Sequence, residues 1–249
     1  MAEEVKTDVI KQRLDALKGA RFKVWLDLCA HCGLCAESCF FYLAHDKDPK
    51  YMPSYKVIKT LGEMYKKKGN VDRAFLEEVH EIVWGDCTCC RRCSMYCPFG
   101  IDMATMIATA RAICCSQGVV PEGLQRTVAN YWAEGNQMAM KKQDWIETCE
   151  WMAEETQAEL PKLTIPMDKE GADMMYTVNV REPMFYPQDL AMAATIFHVA
   201  GVDWTMTSEG YDDTNLAMFA GDGKCAAHVT KLTYDAAKRL KAKQIGITE

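Results

Sequence analysis

"DCTCCRRCSMYCPFG", residues 86–100, places five cysteines within eleven positions. Read from Cys87, four of them follow a fixed rhythm: Cys87, Cys90, Cys93 and Cys97, with gaps of two, two and three residues, closed by Pro98. The same rhythm occurs upstream as Cys29, Cys32, Cys35 and Cys39. Reading from Cys89 instead breaks the register, because three residues then separate it from Cys93. Cys89 is the surplus thiol, and the pattern is an internal repeat.

The spacing has a physical reason. Three cysteines at two-residue gaps wrap a short loop around three corners of an iron–sulfur cubane. The fourth lies out of reach, at the start of the following helix, and in the bacterial ferredoxin pattern it ligates the other cluster. Carried over to this chain, one [4Fe–4S] cluster takes Cys29, Cys32, Cys35 and Cys97, and a second takes Cys87, Cys90, Cys93 and Cys39. Phe40 stands where the proline after the fourth cysteine is usual, which alters a turn and no ligand. Paired zinc sites show two CxxC pairs around a longer spacer rather than a tight triple plus one. Disulfides require an oxidising compartment, and the N-terminal stretch has neither an apolar signal core nor a twin arginine.

Composition sets outer limits. The 249 residues, 49% apolar and 26% charged, suit a soluble globular protein of one large or two ordinary domains. A net charge of −6 argues against nucleic acid as a partner, since neutralising phosphate needs a basic surface. The longest apolar run, "LAMAATIFHVAGV" (190–202), is too short to cross a bilayer. A cytoplasmic chain with no direct span is expected, any membrane contact being made through a partner.

Along the chain, residues 3–20 read as an amphipathic helix ended at Gly19, and the connector 40–70 reads as mostly loop. Val71, Phe75, Val79 and Ile82 form a helical stripe, and helical pattern resumes after Gly100 until Pro161 and Pro166 break it. The last third alternates β-prone "DMMYTVNV" (173–180), "VDWTMTS" (202–208) and "IGITE" (245–249) with two helical stretches. That order points to a parallel βαβαβ unit. The expected fold class is therefore mainly α: an α-helical ferredoxin domain over 1–165, then a partial α/β unit over 166–249.

Four cysteines fall outside the repeat. Cys114, Cys115, Cys149 and Cys225 sit in helical patterns, where buried small hydrophobe is the simpler role. His31 lies inside the first loop but four thiolates already suffice there. Arg91 and Arg92 flank the second loop, either raising a cluster's potential or forming a solvated basic rim. "GDGKCAA" (221–227) lacks the glycine spacing of a phosphate loop.

The doubled motif in helical surroundings resembles the α-helical ferredoxin type of succinate dehydrogenase-like and heterodisulfide reductase-like proteins. Residues 165–222, "IPMDKEGADMMYTVNVREPMFYPQDLAMAATIFHVAGVDWTMTSEGYDDTNLAMFAGD", resemble the segment after that module in the subunit-D type of heterodisulfide reductase. The similarity extends to related subunits of sulfate reducers' membrane complexes, the DsrK and Tmc/Hmc types. It implies an electron relay in sulfate respiration. The implied partners are a quinone-linked or b-type cytochrome membrane subunit and a thiol/disulfide-type acceptor. Members of that family reduce a disulfide at a cysteine-rich CCG region. No CCG tripeptide occurs here, and the sequence stops about where that region's first element is expected, so the α/β unit is expected to be half a domain. Two alternatives stand beside the relay: a thiol–disulfide reductase built on Cys225, Cys149 or Cys89, and a scaffold in which clusters only staple the fold.

Overall fold

The computed structural model describes residues 4–17, 21–157 and 160–248. Gly19, the expected end of the leading helix, and the final Glu249 lie outside the described residues. The chain divides into two compact units. The first runs to Glu122 and takes in Phe219–Asp222; the second comprises Gly123–Met218 and Gly223–Glu249.

Among the described residues, every regular element of the first unit is helical. It contains α1 (Thr7–Ala16), α2 (Phe22–Leu28), α3 (Leu34–Glu37), α4 (Phe40–Ala44), α5 (Pro53–Val57), α6 (Glu63–Lys66), α7 (Arg73–His80), α8 (Arg92–Met95) and α9 (Met103–Cys115). The core gathers around α9, whose Met103, Met106, Ile107, Ala110, Ile113 and Cys114 are buried with Ile10, Leu14, Val57, Leu61, Leu76 and Val79. Fully burying an aliphatic side chain of this size stabilises the fold by roughly 1.5–3 kcal/mol.

The connector 40–70 is more ordered than its turn-rich composition suggests. Pro53 opens a helix at a position where its missing N–H costs nothing. A π-helical turn over Ile58–Gly62 then carries α5 into α6 without a break. The apolar Val57, Leu61 and Met64 hidden among the lysines supply the buried face. A second π-turn, Glu81–Gly85, continues α7 to the edge of the second cysteine loop. Later in the chain the backbone returns to this unit: Trp84 Nε1 donates to the Phe219 carbonyl at 2.7 Å. Gly221 then lies so close to α9 that a Cβ would fall 2.7 Å from the Ala112 nitrogen.

The second unit begins with helices that the sequence pattern groups with the first. These are α10 (Glu122–Glu134) and α11 (Lys142–Gln157), followed by β1 (Met174–Tyr176), α12 (Arg181–Phe185), α13 (Gln188–Ala200), β2 (Trp204–Thr205), α14 (Leu216–Ala220), α15 (Gly223–Arg239) and β3 (Gln244–Gly246). The sheet is parallel in the order β2-β1-β3, which is the expected strand–helix alternation. Trp145 and Met152 of α11 share one core with Val178, Leu190, Trp204 and Met206. Trp145 stacks on Tyr211 at 4.2 Å and donates Nε1–H to the Thr207 carbonyl. Tyr131 of α10 packs with Ala217, Cys225 and Val229. The division near Gly123 rather than 165 follows from these contacts: Pro161 and Pro166 end a helical pattern but do not separate two cores.

Asp212 is buried in this unit, where its carboxylate accepts backbone N–H groups from Gln137 and Thr214. Burial outweighs those bonds and raises its pKa to about 7. A raised carboxyl contributes stability that is full below the unfolded value, about 3.9, and is lost as pH climbs through 7. Thermal unfolding of Asp212→Asn across pH 4 to 8 is expected to lack this decline, whereas the wild-type Tm falls over that window.

Candidate iron–sulfur site

The repeat is written into the backbone as well as the spacing. His31 and Gly33 have φ of 52° and 82°, and their counterparts Cys89 and Arg91 have 55° and 64°. Two left-handed residues around the second cysteine curl each loop so that its first three thiols face inward, and a helical turn follows in each case, α3 and α8. Cys89 thus occupies the place of His31. The repeats diverge after the fourth cysteine. Cys39 directly precedes α4, whereas Pro98 and Gly100 (φ 65°) make a turn after Cys97, and α9 begins only at Met103.

The fourth cysteines part from their own loops. Cys29, Cys32, Cys35 and Cys97 line one cavity, together with His31, Ser54, Phe99 and Met103. Cys39 joins Cys87, Cys90 and Cys93 around another, with Cys89, Phe41, Lys56 and Met103. Met103 borders both, so the two cavities are neighbours. Among the described residues no three Cys, His, Asp or Glu side chains are arranged around a single ion; the thiols ring two spaces instead. Eight soft sulfur donors in two sets of four suit two [4Fe–4S] clusters.

Burial and neighbouring thiols act unequally on the cysteines of the two loops. Burial, then the neighbouring Cys87, Cys35 and Cys39, push Cys93 up to about 12. Burial likewise raises Cys35, against a hydrogen bond from Ser54. Cys87 moves the other way, because Cys89 donates to its sulfur through its thiol and its backbone N–H (3.4 Å), and because Lys56 and Arg111 lie nearby. Cys89 is correspondingly held as a neutral thiol.

Three side chains that spacing alone does not reveal fix the second loop. Arg111, 3% exposed on α9, donates to the Val83 carbonyl through Nε (2.9 Å) and Nη2 (2.7 Å) and to the Cys87 carbonyl through Nη2 (2.6 Å). It satisfies carbonyls that the end of the π-turn leaves over. Lys56, 2% exposed, donates to the Asp86 carbonyl and lies over the Phe41 ring at 4.9 Å. Asp102 caps α9 by accepting from the Thr105 N–H, and also accepts from Ser94 Oγ and Arg91 Nη2. Arg91, read from the sequence as either a tuner of the cluster or part of a solvated basic rim, is thereby paired and largely exposed. A single arginine inside the apolar run "MATMIATARAICC" is the sequence signal for Arg111; Lys56 has none, being one lysine among many. Cys114, Cys149 and Cys225 are buried and Cys115 is half-buried.

Comparison with known proteins agrees on the module. Residues 25–101 match the family described as the 4Fe-4S dicluster domain. The chain is 32% identical over 130 residues to the Hdr-like menaquinol oxidoreductase iron-sulfur subunit of Archaeoglobus profundus, an alignment covering 47% of this chain and 23% of that protein. It is 31% identical over 118 residues to the Hdr-like menaquinol oxidoreductase iron-sulfur subunit 2 of Archaeoglobus fulgidus, covering 42% and 20%. The matched region therefore spans under a quarter of either relative.

Two stability tests follow from the loops. No atom lies within 4 Å of a Cβ placed at Gly33, so Gly33→Ala meets only the left-handed backbone cost and should destabilise by about 1–2 kcal/mol in denaturant titration. Asp102→Ala should cost about 1–2 kcal/mol as a lost cap. Burial opposes the Asp102 charge, but hydrogen bonds from Ser94 and Thr105 and the Arg91 guanidinium keep its pKa below the ordinary value. Its contribution is full above about pH 4 and disappears as pH falls through the depressed folded value, so wild type and variant should converge in acid.

Proposed function

We propose that this chain is an iron–sulfur electron-transfer subunit of a membrane-associated, Hdr-like oxidoreductase complex. The grouping of eight thiols into two adjoining rings, each completed by a cysteine from the other loop, carries this reading. Cys29, Cys32, Cys35 and Cys97 hold one [4Fe–4S] cluster, and Cys87, Cys90, Cys93 and Cys39 hold the second. The exchange of Cys39 and Cys97 stitches together segments separated by 47 residues of sequence. A bound cubane supplies a one-electron couple. The protein supplies the spacing, the half-buried thiolate cages and the hydrogen bonds to sulfur, such as that from the Cys89 N–H to Cys87.

The similarity to menaquinol oxidoreductase iron-sulfur subunits supports a quinol-linked partner; in this reading electrons pass between a quinone- or haem-linked membrane subunit, such as a b-type cytochrome, and a thiol/disulfide-type acceptor on the cytoplasmic side. No described helix is long and apolar enough to cross a membrane, which suits attachment through other subunits. The two domains of this reading are the α-helical ferredoxin module and the partial α/β unit that follows it in sequence.

Anaerobically reconstituted protein is expected to bind about eight irons and eight sulfides per chain and to show two reducible S = 1/2 species by EPR. Fewer irons, or no such signal, would overturn the reading. The exchanged ligands give a sharper check: Cys97→Ser should perturb the same EPR species as Cys32→Ser, and Cys39→Ser the same species as Cys90→Ser. The opposite pairing would assign each loop its own fourth ligand.

A further inference from the structure

The two thiol-lined cavities share a backbone plan but not their charge. Around the first, the lining side chains are thiols, Ser54, His31 and apolar groups such as Phe99, Ile101 and Met103. The second is bordered by Lys56, Arg91 and Arg92 as well as Asp86. Arg91 is paired with Asp102, and Arg92 is exposed. Lys56 and, behind the Cys87 carbonyl, Arg111 are different: both are buried, and among the described residues neither forms a salt bridge with a carboxylate. A buried cation without an anion is costly and calls for a compensating negative group close by. Four thiolates around a cluster are that group.

Building on the two-cluster reading above, we propose that Lys56 and Arg111 hold the cluster site of Cys39, Cys87, Cys90 and Cys93 at a higher reduction potential than the site of Cys29, Cys32, Cys35 and Cys97. Each one-electron reduction adds a negative charge, and in a poorly hydrated interior a fixed positive charge favours the reduced state far more than it would in water. The first cavity has no such pair. An electron from a one-electron donor then comes to rest at the Cys87 end, passing from the reduced to the oxidised site with no bond broken and no proton moved. Lys56 and Arg111 touch backbone carbonyls and are positioning residues whose charge acts through the thiolates.

The test is a potentiometric EPR titration of the full chain with dithionite as reductant, the two signals being assigned by the Cys32→Ser and Cys90→Ser variants. Lys56→Gln keeps a donor for the Asp86 carbonyl but not the charge; Lys56→Arg keeps both. In the wild type the Cys87-end site should titrate at the higher potential. Lys56→Gln should lower its reduction equilibrium at least tenfold, about 59 mV for a one-electron couple. The other site should move much less, and Lys56→Arg should restore the wild-type value. Arg111→Gln should act in the same direction. Equal wild-type potentials, a Lys56→Gln shift common to both sites or absent from both, or loss of the second cluster from both charge-removing variants would overturn the proposal while leaving the two-cluster reading intact. Failure of the wild type to bind two cubanes would overturn that reading and this one with it.

Discussion

Burying a thiol among other thiols raises the cost of ionising it, and the frame behind the second cysteine loop meets that cost. Cys93 feels it from burial and from thiols of both loops. Cys87 is relieved of it by the Cys89 donors and by two buried cations. Those cations are in turn supported by the helical frame. Lys56 comes from the α5 end of a helix kept continuous by a π-turn, and Arg111 from the most deeply packed helix of the unit. The second π-turn ends where Arg111 can reach the Val83 carbonyl. Packing, carbonyl satisfaction and thiolate electrostatics therefore meet in the same few residues. A change at α9 is felt at the cysteines although α9 contributes none of the eight.

The cysteine repeat was legible because ligand spacing is a local property, and the structure extends it to backbone conformation. His31 and Cys89 share a left-handed turn, as do Gly33 and Arg91. This gives the surplus Cys89 a conformational role that counting alone could not. The parallel strand–helix alternation was legible too, because β-prone runs alternated with helical ones, although the order of the strands in the sheet was not. The connector 40–70 was not: its lysines and prolines mask a three-residue apolar face that only packing reveals. The division by contacts near Gly123, away from the expected boundary at 165, has a related reason. Proline marks where a helix stops, but Trp145 and Tyr131 decide which core it joins, through partners more than 60 residues away in sequence. Lys56 was invisible because nothing in a run of lysines identifies the one that will be buried.

The asymmetry between the loops is a further lesson in reading repeats. Identical ligand spacing invites the assumption of equivalent sites, yet the residues between and behind the ligands differ in charge, in the turn after the fourth cysteine and in hydrogen bonding to sulfur. Each difference acts on the same quantity, the free energy of adding an electron. Divergence within a duplicated motif is where one half acquires a task that the other does not share.

The short segment Phe219–Asp222 has a consequence for biogenesis. It belongs to the first unit, seats Gly221 against α9 beside Arg111, and offers Trp84 a carbonyl, although roughly a hundred residues separate it from the rest of that unit. During vectorial synthesis the cysteine loops leave the ribosome long before this strap exists. The helix that anchors the second loop thus acquires its last neighbour only after much of the following unit has been translated. Closure of the frame behind the thiol cages is thereby tied to synthesis of most of the second unit, so that a nascent polypeptide cut short before Phe219 presents its cysteines on a frame that has not yet closed.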